Sequence, residues 1–597
     1  MSDPTRMLAH LGLAKQYNNG QQSSVGVAAK FSVEVHQLVD DRMLCYHVGK
    51  RNEQTFGYDF DSPHNYDSGM NPSVDINNNN IAVEIHETSK FGSYQLWLHV
   101  GEVIEKGDIV GWGVNHGIQH DTGANPDISI NDNNIVVEVH QSESYSTLWY
   151  NIGVADAKDH SIAWRGGSVH YGDGTSPAIA LGEEFFVEVH SVGDTLYCCG
   201  GRVVKDESGF HLQFVSNSAY DHGLAPDIAI FAEDNECLYF IETHLSQNGT
   251  GAWQRSGYLR KRDSQCFWFA PSTRFDRDAD GLSVGASTVA GIAVCTHSSS
   301  GKLYQVSTTL SDTGRFFEKL LPQIRNLPLK QMVFAGSHNS GLYHMNIPFI
   351  DPLSATQEIG IYEQLLRGVR YFDLRVGTDR HIIRHGCLEG PLMGEIFADF
   401  QQFFDEGHKE LVIINLERED GENKCDIKEI LDYIGAYALR RSEVGQQCGA
   451  QRLADIQMEM LIGDTGHIIL IANDEQECDH AWKTADLRIR NTWAGDMDEG
   501  AMIRHMYEEL DAFDDSRGEL LLFAWFPSTG TGFGNSKGAN ARLIETITTR
   551  PFKNQRGKFP NIIQCDYVEY ARVGMLCEHL IRQVNGIPHE MAVSSAS

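Results

Sequence analysis

A single phrase recurs through the first half of the chain, and it restricts the fold more than anything else in the sequence. It reads Val33-Glu-Val-His36, Val83-Glu-Ile-His86, Val137-Glu-Val-His140, Val187-Glu-Val-His190, Ile241-Glu-Thr-His244 and Val294-Cys-Thr-His297. The histidines recur every 50 to 54 residues, and a glycine keeps step at Gly20, Gly69, Gly123, Gly174, Gly223 and Gly281. A strand start such as Pro126-Asp-Ile-Ser-Ile or Pro226-Asp-Ile-Ala-Ile often follows the glycine. After each histidine comes a third strand pattern, as at Thr147–Gly153, and then a fourth, as at Ser161–Trp164. Four short strands per repeat of this length form a propeller blade, so six phrases predict six blades. The last repeat stops after its third strand, Lys302–Leu310, whereas Leu13–Gly20 reads as a fourth strand without predecessors. Its Tyr17-x-x-Gly20 ending matches Tyr66–Gly69, Tyr171–Gly174 and Tyr220–Gly223. The N-terminus is therefore expected to complete the last blade and leave no open edge.

Alternation puts the Glu and His of the repeated phrase on the face opposite its apolar residues. We expect hydrogen bonds repeated between blades rather than a ring of metal ions. Asp276-Arg-Asp278-Ala-Asp280-Gly281 has the spaced carboxylates of a calcium loop, but Ser287 stands where a bidentate Glu belongs. A solvated turn is the expectation there.

The totals set outer limits. A chain of 597 residues exceeds what one core can hold. A formal charge of −33 argues against nucleic acid as a partner and against long-range attraction to an acidic membrane. No apolar run is long enough to span a bilayer, and Met1–Arg6 lacks the start of a secretory signal. A soluble chain is expected, with its localisation, cytoplasmic or exported by a non-classical route, left open. The 12 cysteines show no CxxC spacing, so buried free thiols are expected.

Residues 313–330 read as an amphipathic linker helix broken at Pro322. Beyond it the apolar run Gln331–Ala335 ends in a polar loop carrying His338 and Asn339. The strand pattern Val369–Val376 carries Asp373 and Arg375, and a third run, His381–Gly386, carries His385. Further strand patterns are Leu411–Leu416 (followed by Glu417 and Arg418), His467–Ala472, Leu487–Trp493, Leu520–Trp525 and Asn561–Asp566. Helical patterns at Leu392–Glu406 and Asp426–Arg441 lie between them. Eight strands interleaved with helices predict an irregular (β/α)8 TIM-type barrel. The chain is thus expected to be multidomain: an all-β six-bladed propeller over 1–312, the linker over 313–330, and the barrel over 331–597. In such barrels catalytic residues collect at the C-terminal strand ends. A lone histidine there is more often structural, but two histidines with an aspartate and an arginine provide base, acid and fixed cation for phosphoryl transfer.

Gly336-Ser-His338-Asn339-Ser340-Gly, Tyr362-Glu-Gln-Leu, Gly368-Val-Arg-Tyr-Phe-Asp373-Leu-Arg375, His385-Gly386 and Gln564-Cys-Asp566-Tyr567, in that order, resemble the phosphatidylinositol-specific phospholipase C family in its X-domain form. The resemblance runs from about Leu327 to Tyr570. It implies cleavage of phosphatidylinositol, or a glycosylated form, to diacylglycerol and inositol 1,2-cyclic phosphate at a membrane surface. His338 would be the general base, oriented by Asp566, and His385 the general acid. Arg375 would face the phosphate oxygens, and Asp373 would hold Arg375 or assist His385. Asn339, Arg418, Asn491 and Trp493 are implied substrate contacts. Where bacterial members carry Asp, Asn339 resembles the calcium-dependent eukaryotic members; Arg375, however, stands where those have a carboxylate. No cofactor is therefore expected, with Ca2+ on Asn339, Asp373 and Glu417 as the alternative. The loop Trp525–Phe533 reads as a membrane-dipping or rim-packing segment. The propeller is expected to target the enzyme through a glycan or protein ligand. The alternative function is an inactive barrel carrying a carbohydrate- or protein-binding propeller.

Overall fold

The computed structural model describes the chain apart from residues 1–7, 12–13, 40, 53–56, 91–92, 113–116, 208, 270–271, 312, 344–354, 377–381, 386–387, 419–426, 450–451, 473–477, 494, 496, 528–533 and 588–597. The chain divides into two compact units, essentially Leu13–Leu310 and Ser311–Glu590.

Six antiparallel sheets make the first unit a six-bladed propeller. In the first blade, Gln21–Val27, Phe31–Gln37 and Met43–Asn52 follow one another outward. The outermost strand breaks into Gly57–Phe60 and His64–Ser68, both paired with the third. The fourth blade keeps its outer strand whole, Gly209–His222. In the last blade the third strand, Lys302–Ser311, takes Lys15–Asn19 as its outer partner, in the register Lys15↔Gln305 to Asn19↔Lys302. Both ends of the repeat region thus lie in one sheet, and no blade is left with a bare third strand.

The second strand of each blade is buried on both faces, and its alternation sorts two kinds of contact. Val33 and Val35 pack with Val74 and Ile76 of the following blade. Glu and His face the preceding blade. Glu34, Glu84, Glu138, Glu188 and Glu242 are fully buried and accept from Nδ1 of the histidine two residues on, at 3.0, 3.0, 2.8, 3.0 and 3.1 Å. Tyr17, Tyr66, Tyr171 and Tyr220 of the preceding outer strand donate to Glu34, Glu84, Glu188 and Glu242, each at 2.8 Å. For Glu138 the tyrosine's place is held by His120, with Nε2 at 3.3 Å.

The glycine that keeps step has a steric cause. A Cβ at Gly20, Gly69, Gly123, Gly174 or Gly223 would meet Cδ2 of the next blade's histidine at 2.5 to 2.7 Å. The sixth interface departs from the pattern at both ends. Phe275 replaces the tyrosine and Cys295 the glutamate, so donor and acceptor are lost together and no buried carboxylate is stranded. In the acidic loop beside it, Asp280 accepts from Ser298 Oγ at 2.6 Å and Ser300 N at 3.1 Å, and Asp276 from Asp278 N at 2.7 Å. Those carboxylates are used in holding the turn.

Eight parallel strands carry the second unit: β1 Phe334–Ser337, β2 Val369–Val376, β3 Leu411–Arg418, β4 His467–Ala472, β5 Ala481–Trp482, β6 Arg488–Asn491, β7 Glu519–Trp525 and β8 Ile562–Cys565. They lie in the order β5-β4-β3-β2-β1-β8-β7-β6. Neighbours in space are neighbours in sequence except β1 and β8, which bring the two ends of the unit together. Among the described residues no pairing joins β5 to β6.

Three expectations need correction. The run carrying His385 is not one of the parallel strands. Ile382–His385 pairs antiparallel to β2 through Val376↔Ile383 and forms a hairpin with Leu388–Leu392. The link from β2 spans only residues 377–381, and a parallel crossover needs about a dozen residues; the eighth parallel place goes to the two-residue β5. The expected helix Asp426–Arg441 stops early: Ile427–Ile434 is helical, a turn from Gly435 bridges Ala438 to Ile468, and a separate helix, Arg441–Cys448, begins only where the first was expected to end. The linker helix is not broken at Pro322 but runs Phe316–Ile324 through it. Burial of Phe316, Phe317, Leu320 and Ile324 on one face outweighs the hydrogen bond that the proline lacks. No helix of the described residues is long and apolar enough to cross a membrane, and their cysteines are free.

Candidate active site

Parallel register decides which side chains meet at the C-terminal strand ends. Ser337 of β1 pairs with Cys565 of β8 and with Phe372 of β2, so His338, Asp566 and Asp373 fall in one row. In β3, Asn415 lies opposite Asp373 and Glu417 opposite Arg375. Residues two apart share a face, so Asp373 and Arg375 point the same way, as do Asn415 and Glu417.

His338 Nδ1 lies 2.8 Å from Asp566 Oδ1. Asp566 is buried, and its other oxygen accepts from Ser536 Oγ at 3.1 Å. Asn540 Nδ2 donates to the Asp566 carbonyl at 2.7 Å, so one face of the helix Gly534–Thr548 holds the strand end. The Phe526 ring stacks on the His338 imidazole with centroids 3.9 Å apart and planes 2° from parallel. Gln357 Nε2 donates to the His338 carbonyl at 3.0 Å, and its Oε1 accepts from Val568 N at 3.1 Å. The imidazole is therefore fixed in plane, tautomer and backbone position. Phe526, Ser536, Gln357 and Asn415 were not among the residues singled out from the sequence.

The loop after β1 is tied to β2. Ser340 N donates to the Asp373 carbonyl at 2.8 Å, and Ser340 Oγ accepts from Asp373 N at 3.0 Å. Asn339 makes this turn at φ 43°, a left-handed conformation that Asn tolerates better than most residues. Both polar side-chain atoms of Asn339, and Oδ1 of Asp373, are buried without a hydrogen-bond partner among the described residues. Buried polar atoms in that condition suit a polar ligand. Arg375 Nε lies 3.7 Å from Glu417 Oε2. The charge of Asp373, together with burial, pushes the Glu417 carboxyl above its ordinary range.

His338, Asn339, Asp373, Arg375, Glu417 and Asp566 thus gather at one end of the sheet. The side chains of His385 and Arg418 lie outside the described residues; along the strands, Arg418 is opposite Val376 and His385 opposite Leu388. Asn491 ends β6 and Trp493 follows it, three strands from β1; Asn491 accepts from Trp493 N at 2.9 Å, and Trp493 is 55% exposed. Most of the loop read as membrane-dipping or rim-packing, residues 528–533, lies outside the described residues; of its described start, Trp525 is buried and Phe526 packs on His338.

No family model matches the chain. A PI-PLC X-box domain-containing protein of Dictyostelium discoideum is 29% identical over 135 residues, 19% of this chain and 18% of that protein. A 1-phosphatidylinositol phosphodiesterase of Listeria monocytogenes is 27% identical over 129 residues, 21% of this chain and 40% of that protein. The chain therefore spans less than half the length of the curated relatives it matches. Among solved structures, a phosphatidylinositol-specific phospholipase C mutant of Staphylococcus aureus aligns at TM-score 0.34 and 14% identity, covering 45% of this chain and 98% of that one. A Trypanosoma rangeli sialidase bound to the inhibitor DANA aligns at TM-score 0.35 and 10% identity, covering 52% of this chain and 59% of that one.

Proposed function

We propose that the second unit is a phosphatidylinositol-specific phospholipase C-like phosphodiesterase, its eight parallel strands closing as an irregular TIM-type barrel. The observation that carries this reading is the His338–Asp566 contact, in one row with Asp373 and beside Arg375. With Nδ1–H held by Asp566, His338 keeps the lone pair on Nε2, as a general base requires. It takes the proton of the inositol 2-hydroxyl; that oxygen bonds to phosphorus, and the bond from phosphorus to the diacylglycerol oxygen breaks. His385 gives its proton to the departing oxygen. The products are inositol 1,2-cyclic phosphate and diacylglycerol. Arg375 bears on the non-bridging oxygens as charge grows there. The unsatisfied atoms of Asn339 and Asp373 accept or donate to the substrate, with Arg418, Asn491 and Trp493 further along the rim.

We infer a metal-free reaction, because the Arg375 guanidinium already sits against Glu417 and would repel a cation. Calcium on Asn339, Asp373 and Glu417 is the alternative, favoured by the same unsatisfied atoms. The enzyme would act peripherally on a membrane, with the propeller as its targeting module for a glycan or protein. Phosphatidylinositol vesicles in the presence of chelator supply the test. Wild type should release the cyclic phosphate, and His338→Ala and His385→Ala should each cut release at least a thousandfold. Release that persists in His338→Ala defeats the reading; release abolished by chelator turns it to calcium. No release from a wild-type chain that folds leaves the inactive, binding-only alternative.

A further inference from the structure

The six blade interfaces are built on one plan, so their differences are informative. The residue paired across the strand with each buried glutamate varies: His47 opposite Glu34, His99 opposite Glu84, Asn151 opposite Glu138, Cys199 opposite Glu188 and Arg255 opposite Glu242. Only the first two glutamates therefore have an imidazole as their cross-strand partner; the second imidazole at Glu138, His120, comes instead from the preceding blade. In both cases the two rings stack, at 5.5 Å for His36 and His47 and 5.8 Å for His86 and His99.

Beside Glu34 the pair is complete. Asn18 Nδ2 reaches His47 Nε2 at 2.9 Å and His36 Nε2 at 3.3 Å, one amide between two ring nitrogens. His47 Nδ1 is bonded to the Asp61 carbonyl at 2.7 Å.

Beside Glu84 the amide is replaced by a carboxylate, Asp67. Its Oδ2 lies 2.9 Å from His99 Nε2 and 4.0 Å from His86 Nε2. A carboxylate has no proton to give, and His86 Nε2 is left without a hydrogen-bond partner among the described residues, as is His99 Nδ1. Both imidazoles are fully buried. His86 Nδ1 is committed to Glu84 at 3.0 Å, and Glu84 is held by Tyr66 at 2.8 Å. Ligand atoms of Glu84, His86 and His99 lie within 4.8 Å of one another, as do those of Glu34, His36 and His47 and of Glu188, His190 and Cys199, so what sets this interface apart is Asp67 and the unbonded His86 Nε2. Gly117 leaves room: a Cβ there would stand 3.0 Å from Asp67 Oδ2 and 3.4 Å from His99 Nε2.

We propose that Asp67, His86 and His99 bind a divalent transition-metal ion of the zinc class at the interface of the first two blades. Ligand atoms about 2.1 Å from a tetrahedral ion lie roughly 3.4 Å apart, a value bracketed by the two separations from Asp67. Neutral imidazoles and a carboxylate are the donors that such ions take. Glu84, receiving the proton on His86 Nδ1, is the outer carboxylate that fixes a metal-binding histidine's tautomer. The ion also answers the charge at the site, where Asp67 and Glu84 bring two carboxylates into the interface. The competing arrangement is a proton rather than a metal ion, with His86 as an imidazolium between them.

The sister blades supply the test variants. Asp67→Asn reproduces the amide at Asn18, and His99→Asn reproduces the residue at Asn151, so both substitutions have a folded precedent in this chain. The full chain, stripped with chelator and desalted, is titrated with Co2+ while visible d–d absorption and bound cobalt are measured. Wild type should take up one equivalent with an absorption band that Zn2+ displaces, and its propeller melting temperature should rise. Each variant should bind at least a hundredfold more weakly, with the metal-free melting temperature preserved in at least one. Absence of cobalt uptake by wild type overturns the proposal in favour of the proton. Uptake undiminished in a folded variant overturns it by placing the ion elsewhere.

Discussion

Tyr220→Phe isolates one inter-blade hydrogen bond with little else changed. The phenol donates at 2.8 Å to Glu242, a fully buried carboxylate that also receives His244 Nδ1 at 3.1 Å. The Tyr220 ring lies on Trp268, centroids 4.4 Å apart and planes at 20°, and phenylalanine keeps that contact. The loss is therefore one hydrogen bond to an ionised acceptor, and the acceptor stays buried. Such a bond contributes about 1.5–3 kcal/mol. On a unit of this size we expect a fall of roughly 2–5 °C in the propeller transition, followed by calorimetry of the full chain. The same substitution in a Glu242→Gln background should cost under about 1 kcal/mol, because the acceptor is then neutral. A shift below 1 °C, or one of equal size in both backgrounds, would refute the idea that tyrosine-to-carboxylate bonds tie the blades. The sixth interface offers the converse. Cys295→Glu alone should destabilise, since Phe275 has no proton to give, and adding Phe275→Tyr should restore most of the loss.

Other consequences are open to the same measurements. Gly223→Ala should lower the propeller transition by about 1–3 kcal/mol, because the new Cβ would fall 2.5 Å from the Leu245 carbonyl and 2.6 Å from His244 Cδ2. Burial lowers the His36 pKa, but the charge of Glu34 outweighs it and pushes the value up to about 10. A folded pKa above the unfolded one means that this stabilisation is complete below about pH 6.5 and lost as pH rises toward 10. Since His140 and His244 are raised too, the propeller's melting temperature should fall between pH 7 and 10, and less steeply in Glu34→Gln. In the second unit Arg370 and Glu410, both fully buried, pair at 2.8 Å. Glu410→Gln should cost about 3–5 kcal/mol by stranding the guanidinium, while replacing both partners with apolar residues should recover much of it. If the proposed reaction holds, Asp566→Asn should depress cyclic phosphate release by about 10⁴ through the wrong His338 tautomer, with vesicle binding unchanged.

The propeller was legible because its constraint is periodic. Tyr, Gly, Glu and His return in phase, and each phase maps to a fixed place in a blade. What the sequence did not disclose was the reason for the phase, namely that the glycine of one blade lies against the histidine ring of the next. That contact exists only once the sheets are stacked. The second unit was less legible wherever apolar content stood in for geometry. Ile382–His385 is as apolar as a parallel strand, but the short link before it permits only a hairpin, and that length was available to be counted. The true eighth place, Ala481–Trp482, is too short for any periodicity to register.

The candidate site separates in the same way. His338 and Asp566 are 228 residues apart; the family resemblance paired them, and they meet because each directly follows a strand and the strand order makes β1 and β8 neighbours. Register alone then carries the row outward to Asp373 on one side and, since Ala524 pairs with Gln564 and Trp525 with Cys565, to Phe526 on the other. Phe526 could thus have been placed beside the dyad from register, although nothing in its local sequence marks it. Ser536 and Gln357 could not, because one comes from a helix and the other from a loop whose approach is set by packing. His338, Asp566, Asp373 and the Phe526 ring thus follow from the regular lattice of strand ends, whereas Ser536 and Gln357 come from the irregular connections. A Phe526→Leu substitution tests whether the ring positions His338 for the proposed reaction: it should loosen the imidazole and lower the proposed turnover about tenfold, while the unit's melting temperature moves little.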